Sequence, residues 1–226
     1  HFTYKTQKYD LSLLKDKNVT SITKSADGTI WFGTDEGLFS SVNSNGRTIL
    51  KKYSGVSDLH IWSLASDPSG SLWIGTYGSG LIHLDVKNGQ IKKPKFEDKR
   101  LQTNSVLFNK SVYCDDKNNL WIGFWGLGLA KFNTATNNFK LWQNTKNNSE
   151  FGLSHNDVWA IYPDSKNRIW IGTNGGGLNL LVDEEKSTFL KWMADDTLTN
   201  SISGNSIYAI LESKSSKTNI NSDETI

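Results

Sequence analysis

One phrase occurs four times in this chain, and it limits what the chain can fold into. Leu72-Trp73-Ile74-Gly75-Thr76 runs through a glycine-rich break into a second apolar run, Leu81-Ile82-His83-Leu84. Ile30-Trp31-Phe32-Gly33-Thr34 leads in the same way to Gly37-Leu38-Phe39, Leu120-Trp121-Ile122-Gly123-Phe124 to Gly128-Leu129, and Ile169-Trp170-Ile171-Gly172-Thr173 to Gly177-Leu178. The four tryptophans are 42, 48 and 49 residues apart. A period of that length marks a repeat array, and any single motif has to be read inside it. Within each copy apolar residues alternate with small or polar ones, the two-residue period of a strand. The glycines then supply a tight turn into an antiparallel neighbour. Each copy predicts a β-hairpin.

The flanks extend the unit. Twelve residues before each Trp stand Val19, Ile61, Asn109 and Val158, and nine before stand Ile22, Leu64, Val112 and Ile161, which together read as a preceding strand. Six before stand Ser25, Asp67, Asp115 and Asp164, each opening a turn rich in Asp, Asn and Gly, residues that bond their own backbone or tolerate positive φ. Asn109 and Lys110 occupy positions where apolar groups are expected, so the third repeat reads as out of step, with a bulge or slip. A fourth strand is predicted at Leu50-Lys51-Lys52-Tyr53, Phe139-Lys140-Leu141-Trp142 and Phe189-Leu190-Lys191-Trp192, with Ile91 to Phe96 as the counterpart in the second unit.

Four antiparallel strands in about 45 residues make a propeller blade. The expected fold is therefore all-β: a β-propeller array of about four complete four-stranded blades with partial blades at both ends. Residues 1–17, with Phe2, Tyr4 and Tyr9, read as the outer strand of a preceding blade. Residues 18–212 hold the four repeats and the first strand of a fifth, since Asn205-Ser206-Ile207-Tyr208-Ala209-Ile210 matches Asn156-Asp157-Val158-Trp159-Ala160-Ile161. Residues 213–226 are a polar tail, a degenerate or cut blade with Asn219 where a Trp is due.

Nine Trp, ten Phe and seven Tyr fit an interior built from flat, rigid side chains. A net charge of +2 is too mild for a nucleic-acid surface, and the basic run Lys92-Lys93-Pro94-Lys95 is interrupted downstream by Glu97 and Asp98. The single Cys114 rules out an internal disulfide and reads as a small apolar group in a strand. No apolar run is long enough to span a membrane as a helix. The chain begins at His1 in mid-pattern, as a processed or trimmed chain would.

The phrases Ser69-Gly70-Ser71-Leu72-Trp73-Ile74-Gly75-Thr76 and Gly175-Gly176-Gly177-Leu178-Asn179-Leu180, with Asn200 to Ile210, resemble the two-component regulator propeller repeat over about residues 18 to 212. That family builds seven-bladed propellers in the periplasmic sensor part of bacterial hybrid histidine kinases. The resemblance implies a carbohydrate-sensing input domain whose partners are further blades or another copy of the chain, and membrane-linked kinase domains downstream. This chain has too few blades for a closed seven-bladed ring. Trp125-Gly126-Leu127-Gly128-Leu129 also resembles a histidine-kinase ATP-lid glycine box, but it lies in register with the propeller turns and has no companion nucleotide motif.

In a propeller the loops leaving the second strand and entering the first crowd one face around the axis. The residue after each second strand differs, Asp35, Tyr77, Trp125 and Asn174, and such variation on a uniform scaffold builds an asymmetric site. Tyr77 and Trp125 offer stacking faces for a sugar ring, Asp35 and Asn174 polar groups for its hydroxyls, and the entering loops add His60, His155, Asn156 and Asn205. The plainer alternative is that these residues finish turns and meet water. Turns such as Ser25 to Trp31 faintly resemble a sialidase Asp-box, yet only Arg47, Arg100 and Arg168 exist to clamp a carboxylate. There is no Gly-x-Ser-x-Gly elbow, His1, His60, His83 and His155 lack metal-ligand spacing, and no cofactor is called for. A protein-interaction platform, and a lyase or glycoside hydrolase using converging carboxylates, are the competing functions.

Overall fold

The computed structural model describes residues 9–44, 47–96, 98–101, 108–144, 151–199 and 201–213. They form four antiparallel sheets. The first holds β2 (Val19–Lys24), β3 (Ile30–Thr34), β4 (Gly37–Ser44) and β5 (Arg47–Tyr53), with β1 (Tyr9–Asp10) added outside β5. The second holds β6 (Ile61–Ser66), β7 (Leu72–Thr76), β8 (Leu81–Leu84) and β9 (Ile91–Lys92), and the third β10 (Asn109–Cys114), β11 (Asn119–Phe124), β12 (Gly128–Asn133) and β13 (Phe139–Trp142). The fourth holds β14 (Val158–Pro163), β15 (Ile169–Thr173), β16 (Leu178–Asp183) and β17 (Thr188–Trp192). Successive sheets meet most closely through their first strands, β2 on β6, β6 on β10 and β10 on β14, as wedges converging on an axis must.

Each residue of the repeated phrase has a separate task. The tryptophan fills the space between one sheet and the next: Trp31 packs with Ile61, Leu64 and Ile74, Trp73 with Leu120 and Ile122, and Trp121 with Val158 and Ile171. The glycine is where the first strand of the following sheet passes or, after the fourth sheet, the segment at Ile207. A Cβ on Gly33 would lie 2.6 Å from Ile61, one on Gly123 2.7 Å from Val158, and one on Gly172 2.7 Å from Ile207. The threonine pins the hairpin turn, Thr34, Thr76 and Thr173 donating from Oγ1 to the carbonyls of Gly37, Gly80 and Gly177 at 2.8, 2.6 and 2.9 Å. Three residues before each Trp the backbone is left-handed, and the sequence places there Gly28, Gly70, Asn118 and Asn167, the residue types that accept it.

Several expectations change. The bulge expected in the third repeat is present, between Asn109 and Ser111, but it does not set that repeat out of step. All four first strands carry the same bulge, between Val19 and Ser21, Ile61 and Ser63, Asn109 and Ser111, and Val158 and Ala160, and Asn109 sits fully buried in the slot of Ile61. Tyr9–Asp10 pairs in parallel with β5 of the first sheet, whereas a strand of a preceding blade was expected; Phe2, Tyr4 and the rest of 1–8 lie outside the described residues. The fourth strand of the second sheet is only Ile91–Lys92, shorter than the span to Phe96. The segment from Asn205 meets the end of β15 through a bridge from Ser206 to Asn174, just past the strand, and a hydrogen bond that the Ile207 amide donates to the Thr173 carbonyl at 2.9 Å, without forming a strand. Asn219 and nearly all of the tail lie outside the described residues.

Candidate functional site

The bulge builds the site. In each first strand it inserts one extra residue opposite a single partner, which turns that side chain away from the pleat. The extra residues are Thr20, Trp62, Lys110 and Trp159. Thr20 spends its hydroxyl on the carbonyls of Gly33 and Ile61 at 3.0 and 2.6 Å. The others touch one another in a row: the Lys110 ammonium lies 4.5 Å from the centre of the Trp62 ring and 5.3 Å from that of Trp159, and Trp159 lies 4.7 Å from Tyr208, the same position in the next repeat.

Exit and entrance residues sit side by side because their backbones bond. The amides of Asp35, Tyr77, Trp125 and Asn174 donate to the carbonyls of Asn18, His60, Phe108 and Asp157. Between the second and third sheets this pairing gathers aromatic rings. Trp62 lies 4.8 Å from Tyr77, 5.7 Å from Trp125 and 6.3 Å from Phe108, while Tyr77 lies 5.5 Å from His60 and 4.9 Å from Phe108. Tyr77 and Trp125 remain 47% and 46% exposed, so nearly half of each residue is open to solvent.

The eight residues expected at the site divide. Tyr77, Trp125 and His60 come together. Asp35 stands beside them, accepting from the Asn18 side chain and amide at 2.6 and 3.1 Å; the Asn18 side chain first, and among smaller causes the nearby His60, hold its carboxyl below the usual range. Asn174 accepts from the Ser206 hydroxyl at 2.9 Å. Asn156 and Asn205 are occupied with bracing. Asn156 bonds the Asn144 backbone through both ends of its amide, and Asn205 Oδ1 accepts from the Ala194 amide at 2.7 Å while its carbonyl takes the amides of Gly175 and Gly177. His155 turns its Nδ1 to the amide of Asp157 at 3.1 Å, and its ring lies 3.9 Å from where a Cβ on Gly175 would be. Sequence reasoning did not single out Trp62, Phe108, Lys110 and Trp159, which the structure places in contact with one another or with Tyr77 and Trp125.

On the far side of the sheets the turn residues have other partners. The Asp164 carboxylate accepts from the Trp170 indole at 2.9 Å and from Arg168 Nε at 2.5 Å, and Asp67 pairs with His83 Nε2 at 3.0 Å. Among the described residues no group of His, Cys, Asp and Glu comes together to hold a metal, and no helix is long and apolar enough to cross a membrane.

The sequence profile described as Two component regulator propeller matches residues 13–36, 55–78 and 152–175, each match running from before the bulge to the residues beyond the second strand. The chain carries two component regulator propeller repeats. The third repeat, with Asn109 and Lys110 in the bulge, lies outside the matched segments of the propeller. A search of curated proteins returns no match. Among solved structures, the propeller is similar to the extracellular domain of a hybrid two component system from B. thetaiotaomicron, at 25% identity and a TM-score of 0.62, over 82% of this chain and 24% of that one. It thus spans about a quarter of that structure's length. It also shares its fold, at 14% identity and a TM-score of 0.57, with an inactive virginiamycin B lyase from Staphylococcus aureus solved with quinupristin, over 86% of this chain and 59% of that one. At 12% identity and the same TM-score it shares the fold of the RRP9 WD40 repeats, over 78% and 51% of the two chains.

Proposed function

We propose that this propeller is the extracytoplasmic input part of a bacterial two component regulator and that it binds a carbohydrate on the patch formed by Trp62, Tyr77, Phe108 and Trp125. The observation that carries this reading is the exposure of Tyr77 and Trp125 beside one another's neighbours, with Trp62 and Phe108 holding them in place. Rings held open to water at the converging end of a repeat scaffold present the flat apolar faces that the C–H faces of a sugar stack upon. His60 and Asp35 border the patch and bond ring hydroxyls. The family match and the similarity to an extracellular domain of a hybrid two component system support the placement in a sensor.

Further blades of a longer chain are the proposed partners at both ends. Ile22 is 61% exposed where its counterpart Leu64 is packed under Trp31, and Trp192 is exposed where its counterpart Trp142 is covered by Phe189. Ligand binding then biases the packing of this larger assembly by its differential affinity for two arrangements, and kinase domains downstream read the bias.

Calorimetric titration of the chain against a panel of glycan-derived oligosaccharides tests the reading. One member binds, and the double substitution Y77A/W125A weakens it at least about tenfold, as loss of two stacking faces requires, with the thermal midpoint little changed. Unaltered affinity in the double variant removes the site, and turnover of a panel member replaces sensing with catalysis.

A further inference from the structure

Lys110 is the cation of the row that the bulges create, and it is badly served there. A lysine half enclosed by protein ordinarily meets a carboxylate. Among the described residues Lys110 meets only the ring faces of Trp62 and Trp159. Burial, with no opposing charge beside it, lowers its pKa. The indole faces balance part of the charge, but among the described residues no protein oxygen meets its three N–H donors, which are left to water. The Trp159 indole N–H is also buried without a hydrogen-bond partner among the described residues. Among the described residues Lys110 thus carries a charge that no carboxylate answers, on the face of Trp62, the ring that also packs on Tyr77 and Trp125.

The group that answers an unpaired ammonium carries negative charge and accepts its hydrogen bonds. A hydroxyl accepts without the charge, whereas a carboxylate or a sulfate accepts and adds the missing charge, making shorter and stronger bonds to an ammonium. Resting on the reading of the aromatic patch as a carbohydrate site, we infer that the sugar it takes is acidic, its anionic group on Lys110 and its ring against the patch. The bulge of the third sheet then sets the specificity, because it is the one among the four that carries a charged side chain.

Matched ligands test this in the intact chain: uronic-acid oligosaccharides, their neutral methyl esters and sulfated sugars of the same length. The free acid or the sulfate binds at least about tenfold more tightly than the ester, the effect of one charge-assisted bond, and raised salt erodes the difference. Which anion wins separates the carboxylate from the sulfate source. K110M abolishes the preference and leaves affinity for the ester in place, while K110R keeps most of it. Equal binding of acid and ester by the unaltered chain, or an acid preference that survives in K110M, overturns the inference while leaving the aromatic patch as a neutral-sugar site. Failure of every sugar to bind overturns both.

Discussion

A Cβ placed on Gly75 would lie 2.6 Å from the carbonyl oxygen of Asn109, in the next sheet, and 2.3 Å from the Ser63 hydroxyl oxygen. The backbone at Gly75 does not need the left-handed region, so the glycine is there for space. G75A must push β10 away from β7 or twist β6, an overpacking cost of about 1–3 kcal/mol. G204A meets nothing within 4 Å and serves as the control, with an effect inside about 0.5 kcal/mol. Urea unfolding of the two variants checks the contrast, and equal midpoints would show that the sheets do not pack through this glycine.

Trp121 and Trp142 stack at 5.8 Å with their planes 7° apart, and Leu153, Val158 and Phe189 cover them from the neighbouring sheet and loop. W121A empties a closed space and should cost about 3–5 kcal/mol. Trp170 occupies the same repeat position, tilted against Trp192 at 5.5 Å, but among the described residues it has beyond it the Arg168 side chain and the segment near Ile210 and Leu211 rather than a further sheet. W170A should cost about half as much, because less of the ring leaves water on folding. If the order is reversed, the tryptophans do not act as filling between sheets.

The tasks of Trp31, Trp73 and Trp121 were legible in the sequence because a period near 45 residues and a two-residue alternation leave few other folds. The row of Thr20, Trp62, Lys110 and Trp159 was not recognised, although a signal existed. Ile61 and Leu64 both pack under Trp31, and Val158 and Ile161 both pack near Trp121, so each pair shares a face. Residues three apart on a regular strand point to opposite faces. The odd step therefore encodes an extra residue, and the residue just after the first apolar position is the one turned out of the sheet. The partners of Asn156 and Asn205 were not legible for a related reason: a polar side chain in a loop looks free until its backbone partners, here Asn144 and Ala194, are known.

Asp164 links the turn before β15 to the sheet. Burial raises its pKa, but hydrogen bonds from the Trp170 indole, the Arg168 amide and side chain and the Lys166 amide outweigh that and hold the carboxyl well below its ordinary 3.8. A group depressed on folding stabilises the fold above its unfolded value and loses that contribution as pH falls toward its folded value. D164N should therefore melt below the unaltered chain near neutral pH, and the gap should narrow below about pH 4. Thermal melts across that range check it. A gap that is constant with pH would assign the loss to geometry and not to the charge.

Cys114 ends β10 beside the hydrophobic cluster of Trp73 and Phe132, and burial, with smaller contributions from Asp67 and Asp115, pushes its thiol up to about 12. Against an ordinary value of 9.0 this lowers the thiolate fraction near pH 8 about a thousandfold. The more basic thiolate is intrinsically more nucleophilic and recovers about twentyfold of that. An aromatic disulfide reagent should then modify the folded chain about fiftyfold more slowly than the urea-unfolded chain. Because Cys114 lies in the third first strand, its modification also follows opening of the sheet that carries Lys110. Modification of the folded chain at the unfolded rate would mean that β10 is not held between its neighbours, and the row of residues beside it would lose its support.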